Sequence, residues 1–146
     1  MKSKILIALV LLLVIIQFFT IDKTNPPAQV DKDFITISNP PAELASMIKN
    51  SCYDCHSNQT KYPWYSNVAP VSWLLKNHID DGRKHLNFST WSEYDLKKKD
   101  RKLDECVEMI QSGDMPMKPY VFMHSEATLN DIQRNQLVKW LKSIKY

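Results

Sequence analysis

Residues 51–58 read Ser-Cys-Tyr-Asp-Cys-His-Ser-Asn, "SCYDCHSN". Two cysteines three positions apart, with a histidine directly after, admit three chemistries: a redox dithiol, half of a zinc site, or a point of covalent haem attachment. A thioredoxin-type dithiol opens a helix after a strand, inside an α/β unit. Here the pair closes a helical pattern, and the best strand candidate, "FITIS" at 34–38, is short. A structural zinc site takes four ligands, usually from two paired clusters. The chain has no second Cys-x-x-Cys, and Cys106 stands alone. Haem is the third choice. Cysteines one helical turn apart can each bond a porphyrin vinyl group, and the next residue, His56, then supplies the proximal imidazole to the iron.

The pattern upstream of the motif is helical. Asn39-Pro40-Pro41-Ala42-Glu43 reads as a helix start, with Asn39 as cap, proline in the first turn and an acid at the positive end of the dipole. Leu44, Met47, Ile48 and Ser51 share one face of that helix. A second helix is expected from Pro70, with Val71, Leu74, Leu75, His78 and Ile79 on one side and Gly82 as its stop. A third spans about Trp91 to Ser112, with Leu96, Leu103, Cys106, Val107 and Ile110 inward and Gly113 ending it. The fourth runs from about Leu129 to Ile144, capped by Thr128, with Leu129, Ile132, Leu137, Trp140, Leu141 and Ile144 buried. Between them, "NQTKYPWYSNVAP" and Met115-Pro116-Met117-Lys118-Pro119-Tyr120 are expected to be irregular. Long proline-containing loops are unusual in a self-sufficient bundle of 146 residues and make sense if the chain wraps round something that is not protein.

The first residues differ from the rest. Lys2 and Lys4 precede an apolar run, and as a helix residues 5–21 would extend about 25 Å, near the lower limit for spanning a bilayer. The expectation is a signal-anchor helix over 1–21 with its basic end in the cytoplasm, because no small-x-small cleavage site follows. Residues 22–33, with Pro26-Pro27, read as a linker, and 34–146 as the domain. The domain is then placed on the periplasmic side of the inner membrane, anchored by that helix or exported after cleavage. Setting aside Lys2 and Lys4, 17 basic residues face 16 acidic ones, which leaves no electrostatic footprint for nucleic acid.

A haem iron carried for electron transfer needs a second axial ligand. Met115 in "GDMP" is the expected one: Gly113 ends a helix, Pro116 stiffens the loop, and a thioether opposite histidine raises the reduction potential. Met117 is the neighbouring alternative, and His78, on an apolar face, is a third.

With these residues in hand, the chain resembles the haem-binding domain family of small exported mono-haem c-type cytochrome-like proteins. The likeness lies in "CYDCHSNQTKYPWYSNVAPVSWLLKNHIDDGRKHLNFSTW" at 52–91 and "IQSGDMPMKPYVFMHSEATLNDIQRNQLVKWL" at 110–141. The resemblance implies an all-α, c-type cytochrome-like domain of about four helices round one covalent haem c, preceded here by the membrane helix. It carries over Cys52 and Cys55 as haem anchors, His56 as proximal iron ligand and Met115 as distal ligand. Met117-Lys118 departs from the family pattern, where a second proline is expected after Met-Pro.

Tyr62, Trp64, Tyr65 and Trp73 are candidates for the pocket wall. Arg83 and Lys84 read as a solvated helix end or as partners of haem propionates. His85 and His124, in loops or near helix ends, read as surface or hydrogen-bonding residues. Lys97-Lys98-Lys99-Asp100-Arg101-Lys102 reads as the wet face of the third helix, with docking to an acidic redox partner as the sharper alternative. Cys106, on the buried stripe, reads as a small hydrophobe. These residues point to a carrier of single electrons rather than an enzyme. The alternative is a peroxidase-like enzyme or a gas or redox sensor with a displaceable distal methionine.

Overall fold

The computed structural model describes residues 2–146. Among them it has seven α-helices, four short 3-10 turns and no strand. The helices are α1 (Lys2–Ile16), α2 (Phe34–Ser38), α3 (Ala42–His56), α4 (Val71–His85), α5 (Leu96–Ser112), α6 (Lys118–Met123) and α7 (Asp131–Ser143). The all-helical expectation holds, and the four helices read in the domain are α3, α4, α5 and α7. Two short helices, α2 and α6, add to that count.

The membrane helix is not found. Among the described residues no helix is long and apolar enough to cross a membrane. The expected span over 5–21 stops at Ile16, after 15 helical residues, a rise of about 22 Å against a hydrocarbon core of about 30 Å. Gln17 is the reason. Its carboxamide donates to the Ala69 carbonyl at 3.0 Å and accepts from the Ala69 N–H at 3.0 Å. Two residues on, the Trp73 indole N–H donates to the Phe19 carbonyl at 2.8 Å. The chain is thereby turned onto the domain before the apolar run is finished.

Residues 22–33 lie along the domain. Asn25 donates to the Thr60 carbonyl at 2.9 Å, and Asn58 donates to the Pro27 carbonyl at 2.9 Å. Asp33 then caps α2 by accepting from the Ile35 N–H at 3.0 Å, and also accepts from the Tyr53 hydroxyl at 2.8 Å. "FITIS" is therefore a short helix, closed by Asn39 in the left-handed region (φ 44°). Asn39 ends α2 rather than starting α3, and Pro41 takes the position before α3.

Phe34 is fully buried and forms the centre of the core. Its ring meets Phe88 at 4.9 Å, Trp91 at 4.8 Å and Trp140 at 5.9 Å. Leu44, Met47 and Ile48 of α3, Leu103, Val107 and Ile110 of α5, and Leu137, Val138 and Leu141 of α7 close round this cluster. Burying a Leu, Ile or Phe side chain stabilises by about 1.5–3 kcal/mol. Val71 and Leu74 on the expected apolar face of α4 are exposed, and so are two expected core positions of α5 and α7: Leu96 is 60 % and Ile132 is 71 % exposed. Leu96 and Ile132 each sit in the first turn of a helix that starts later than its apolar pattern suggests. Asp95 caps α5 through the Lys98 N–H. Asn130 and Gln133, not Thr128 and Asp131, make the capping box of α7.

Gly82 does not stop α4, which continues to His85. A Cβ at Gly82 would lie 2.6 Å from the Cys55 carbonyl oxygen and 3.2 Å from the Cys55 Cβ. Glycine is what lets α3 and α4 touch at the Cys-x-x-Cys-His turn. Gly113 is a true stop: it closes α5 with φ 78° and has open space where a Cβ would be. Gly82→Ala is therefore expected to lower stability by about 1–3 kcal/mol through forced separation of the two helices. Gly113→Ala should lose only about 1 kcal/mol, from its backbone conformation. Urea unfolding of the two variants checks this; equal losses would remove the helix contact as a constraint.

Candidate functional site

The last turn of α3 carries Cys52, Cys55 and His56, which puts both thiols and the imidazole at one end of one helix. The imidazole is fixed from α4. His56 Nδ1 lies 3.0 Å from the Gly82 carbonyl oxygen and 3.2 Å from that of Leu86. Carbonyls only accept, so Nδ1 carries the proton and Nε2 keeps its lone pair. Burial lowers the imidazole pKa, against the opposing pull of those two carbonyls. His56 is thus a neutral, oriented nitrogen donor. Phe88 meets its ring edge-on at 6.5 Å.

The thiols are equally uncharged. Burial is the main cause in both: Cys52 is pushed up to about 12 and Cys55 to about 11. A nucleophilic redox cysteine has the opposite tendency. Among the described residues no group of three or more His, Cys, Asp or Glu side chains is gathered as it would be round a metal ion. The pair thus lacks the further ligands of that kind that would close a four-coordinate zinc site.

Three adjoining hollows open round this turn, of about 230, 160 and 440 Å³. The first holds Cys52, Cys55 and His56 together with Met115, Met117 and His78. The second extends past Cys52 to Phe88, Lys102, Cys106 and Met109, and again includes His56 and Met115. The third extends past Cys55 to Tyr65, Leu74, His78, Met117 and Met123. Together they surround the turn with mostly apolar lining of the kind that takes a small-molecule ligand. Met115 shares two hollows with His56, and Met117 and His78 share one with it.

The Met115 loop is tied by its backbone. Gly113 turns the chain, and the Met115 N–H donates to the Met109 carbonyl at 3.1 Å. Arg134 of α7 closes the other side: Nη1 donates to the Met115 carbonyl at 3.1 Å and to that of Ile110 at 2.9 Å, and Nε donates to Leu129 at 3.2 Å. Sequence pattern gave Arg134 no role, because a half-buried arginine on an amphipathic helix looks like any flanking charge. After the loop, Pro119 falls in the first turn of α6, where a proline is tolerated. That is why a stretch expected to be irregular is partly helical.

A family model described as a haem-binding domain matches residues 11–143. The chain belongs to the haem-binding domain family. No curated protein and no solved structure matches it. The donor set fits the group: a neutral imidazole with a free Nε2, two uncharged thiols beside it, and a thioether loop lining the same hollow.

The other expected wall residues of the haem-binding domain divide. Trp64 and Tyr65 line the third hollow, although Trp64 is 71 % exposed. Trp73 is spent on Phe19, outside all three hollows. The Tyr62 hydroxyl is buried without a partner and lines none of them. Arg83 is no solvated end: it donates to the Ser57 carbonyl at 2.7 Å, to Asn25 at 2.7 Å and to the Thr60 hydroxyl at 2.8 Å. Lys84 is exposed. His124 takes the hydrogen-bonding role: it is bonded to the Tyr65 hydroxyl at 2.9 Å and stacked on Tyr120 at 4.4 Å. Phe88, Tyr120 and Lys102 are walls that the sequence pattern missed.

Replacing Arg134 with alanine removes its bonds to three carbonyls, those of Ile110, Met115 and Leu129, and should cost about 1–3 kcal/mol. The loss should be local as well as global. Amide hydrogen exchange is expected to speed up at residues 113–117 well before it does in α3. Unchanged exchange there would show that the loop is held by something else.

Proposed function

We propose that this haem-binding domain is a mono-haem c-type cytochrome that passes single electrons in an exported compartment. The observation that carries the proposal is the fixed state of His56: a neutral imidazole directly after Cys55, its Nδ1–H held by two backbone carbonyls and Nε2 left to bind. Cys52 and Cys55 would hold the porphyrin by thioether bonds, His56 would be the proximal ligand, and Met115 the distal one. When bound, the haem supplies a one-electron iron couple.

The protein's own part is positioning and environment. Hydrogen bonds from Nδ1 to the Gly82 and Leu86 carbonyls fix the tautomer and ring orientation, and make Nε2 a stronger donor. Thioether ligation opposite histidine favours reduced iron. Phe88, Leu86 and Ile110 on the second hollow keep water from the Cys52 side. With His56 and Met115 both holding the iron, no position would be left for a substrate, and the domain would hand electrons to a redox partner protein without turnover of its own. Export follows from the chemistry, since covalent c-type haem is fitted outside the cytoplasm. The nearly balanced charge gives no reason to expect nucleic acid as a partner.

Expression with and without a cytochrome c maturation system, followed by haem staining of a denatured gel, tests the attachment. Stain should remain on the chain only with that system, and Cys52→Ala/Cys55→Ala should abolish it. In the oxidised protein a methionine-to-iron charge-transfer band should be present and insensitive to cyanide; Met115→Ala should lose the band and bind cyanide. Fast cyanide binding by the unaltered protein would instead favour a sensor or peroxidase-like enzyme.

A further inference from the structure

Lys102 stands out on the wall of the second hollow. It was read as one of a solvated run, yet its side chain is only 8 % exposed. Its ammonium donates to Glu105 Oε2 at 2.6 Å and lies 3.4 Å from His85 Nε2. The same Glu105 carboxylate also serves His85 at 3.1 Å and Arg101 at 3.8 Å. Burial alone would raise the Glu105 carboxyl, but the Lys102 hydrogen bond and charge outweigh it and hold it low. One carboxylate thus faces two permanent cations and an imidazole. The excess is positive, and of the ammonium's three donors only the one to Glu105 Oε2 is committed, because a His85 Nε2 that donates to Glu105 cannot also accept from Lys102.

A buried charge is retained only where it is paired. This one lines a hollow that is otherwise apolar, with Cys52, His56 and Met115 on its other walls. A haem brings two carboxylates into that space. His85, 65 % exposed, marks the side where the hollow meets water, and a carboxylate is held at lowest cost at such a rim. The alternatives on α4 are engaged elsewhere or off the site: Arg83 is bonded to Ser57, Asn25 and Thr60, and Lys84 lines none of the three hollows.

We propose that Lys102, with His85 beside it, is the binding site for a haem propionate, and that Glu105 holds the ammonium in place for it. This rests on the covalent-haem reading above. An uncommitted donor of Lys102 takes a propionate oxygen, and the ammonium then bridges two carboxylates, one from the protein and one from the cofactor. Lys102 also sets the charge near His56 and so favours reduced iron.

The test uses the full matured protein and two readouts. Resonance Raman reports the propionate bending mode, which responds to a direct hydrogen bond and not to a distant charge. Redox titration reports the midpoint potential. In Lys102→Met the bending band should move and the reduction equilibrium constant should fall about tenfold, 59 mV for one electron. Lys102→Arg should restore both. If Lys102→Met does not mature, Glu105→Gln decides, because an ammonium no longer held in place should weaken the propionate bond and move the band. A propionate band unmoved in whichever variant matures with haem attached overturns the inference while leaving the haem reading intact. Wild-type protein without covalent haem overturns both.

Discussion

The approach of α4 to the end of α3 is the constraint from which the site follows. Gly82 meets the Cys55 carbonyl where any other residue would place a carbon 2.6 Å away. That contact brings the Gly82 and Leu86 carbonyls to His56 Nδ1. Leu86 is the residue that closes α4, and its N–H is already bonded to Gly82. Its carbonyl is one of those that a helix end leaves without an intrahelical partner. His56 therefore satisfies a terminal carbonyl and in return has its tautomer chosen. An unprotonated Nε2 is a consequence of how two helices end against one another, before any cofactor is considered.

The core proper and the hollows are separate constructions that share a wall. Cys52 and Cys106 pack against the core, and Phe88 touches both sides: it stacks on Tyr53 at 5.3 Å and meets His56 edge-on. Asp33 joins the two further, since it caps α2 and accepts from the Tyr53 hydroxyl of α3. Polar side chains also tie the helices and the segments between them to one another. This answers the puzzle of the long loops. They are ordered by side-chain to backbone bonds, such as those of Arg83 to Ser57 and Asn58 to Pro27, rather than by apolar packing.

Much of the helix register was legible. The faces of α3 and α7 follow their 3.6-residue period, and Leu44, Met47, Ile48, Leu137 and Leu141 are buried as that period requires. The errors have physical causes. Glycine as a helix stop and glycine as a close-approach point look alike in sequence, so Gly82 was misassigned and Gly113 was not. Ile132 and Leu96 fit the apolar pattern but sit in first turns, where a helix has not yet met its neighbour. The apolar run after Lys4 has the composition of a membrane span, but the glutamine at 17 has a partner, Ala69, that lies 52 residues away. Lys102 was the recoverable miss. It lies four residues before Cys106 and next to Leu103, on the stripe that α5 buries, yet the surrounding run of lysines concealed its place.

The two sides of the site are held by different means, and that difference governs what the domain can do. On the His56 side, the imidazole is fixed by carbonyls of α4, a helix packed along α3. On the Met115 side, the loop is held by a single N–H to Met109 and by one arginine side chain reaching from α7. Elements with few buried contacts open at lower free energy than packed helices. Were His56 and Met115 the two ligands of a bound haem, a firmly held imidazole would face a thioether on a short tether, an arrangement suited to electron transfer while the tether holds. The same scaffold would become a ligand-binding haem protein if the tether were weakened, and the residue that separates the two outcomes is Arg134, which would touch neither the iron nor its ligand's sulfur.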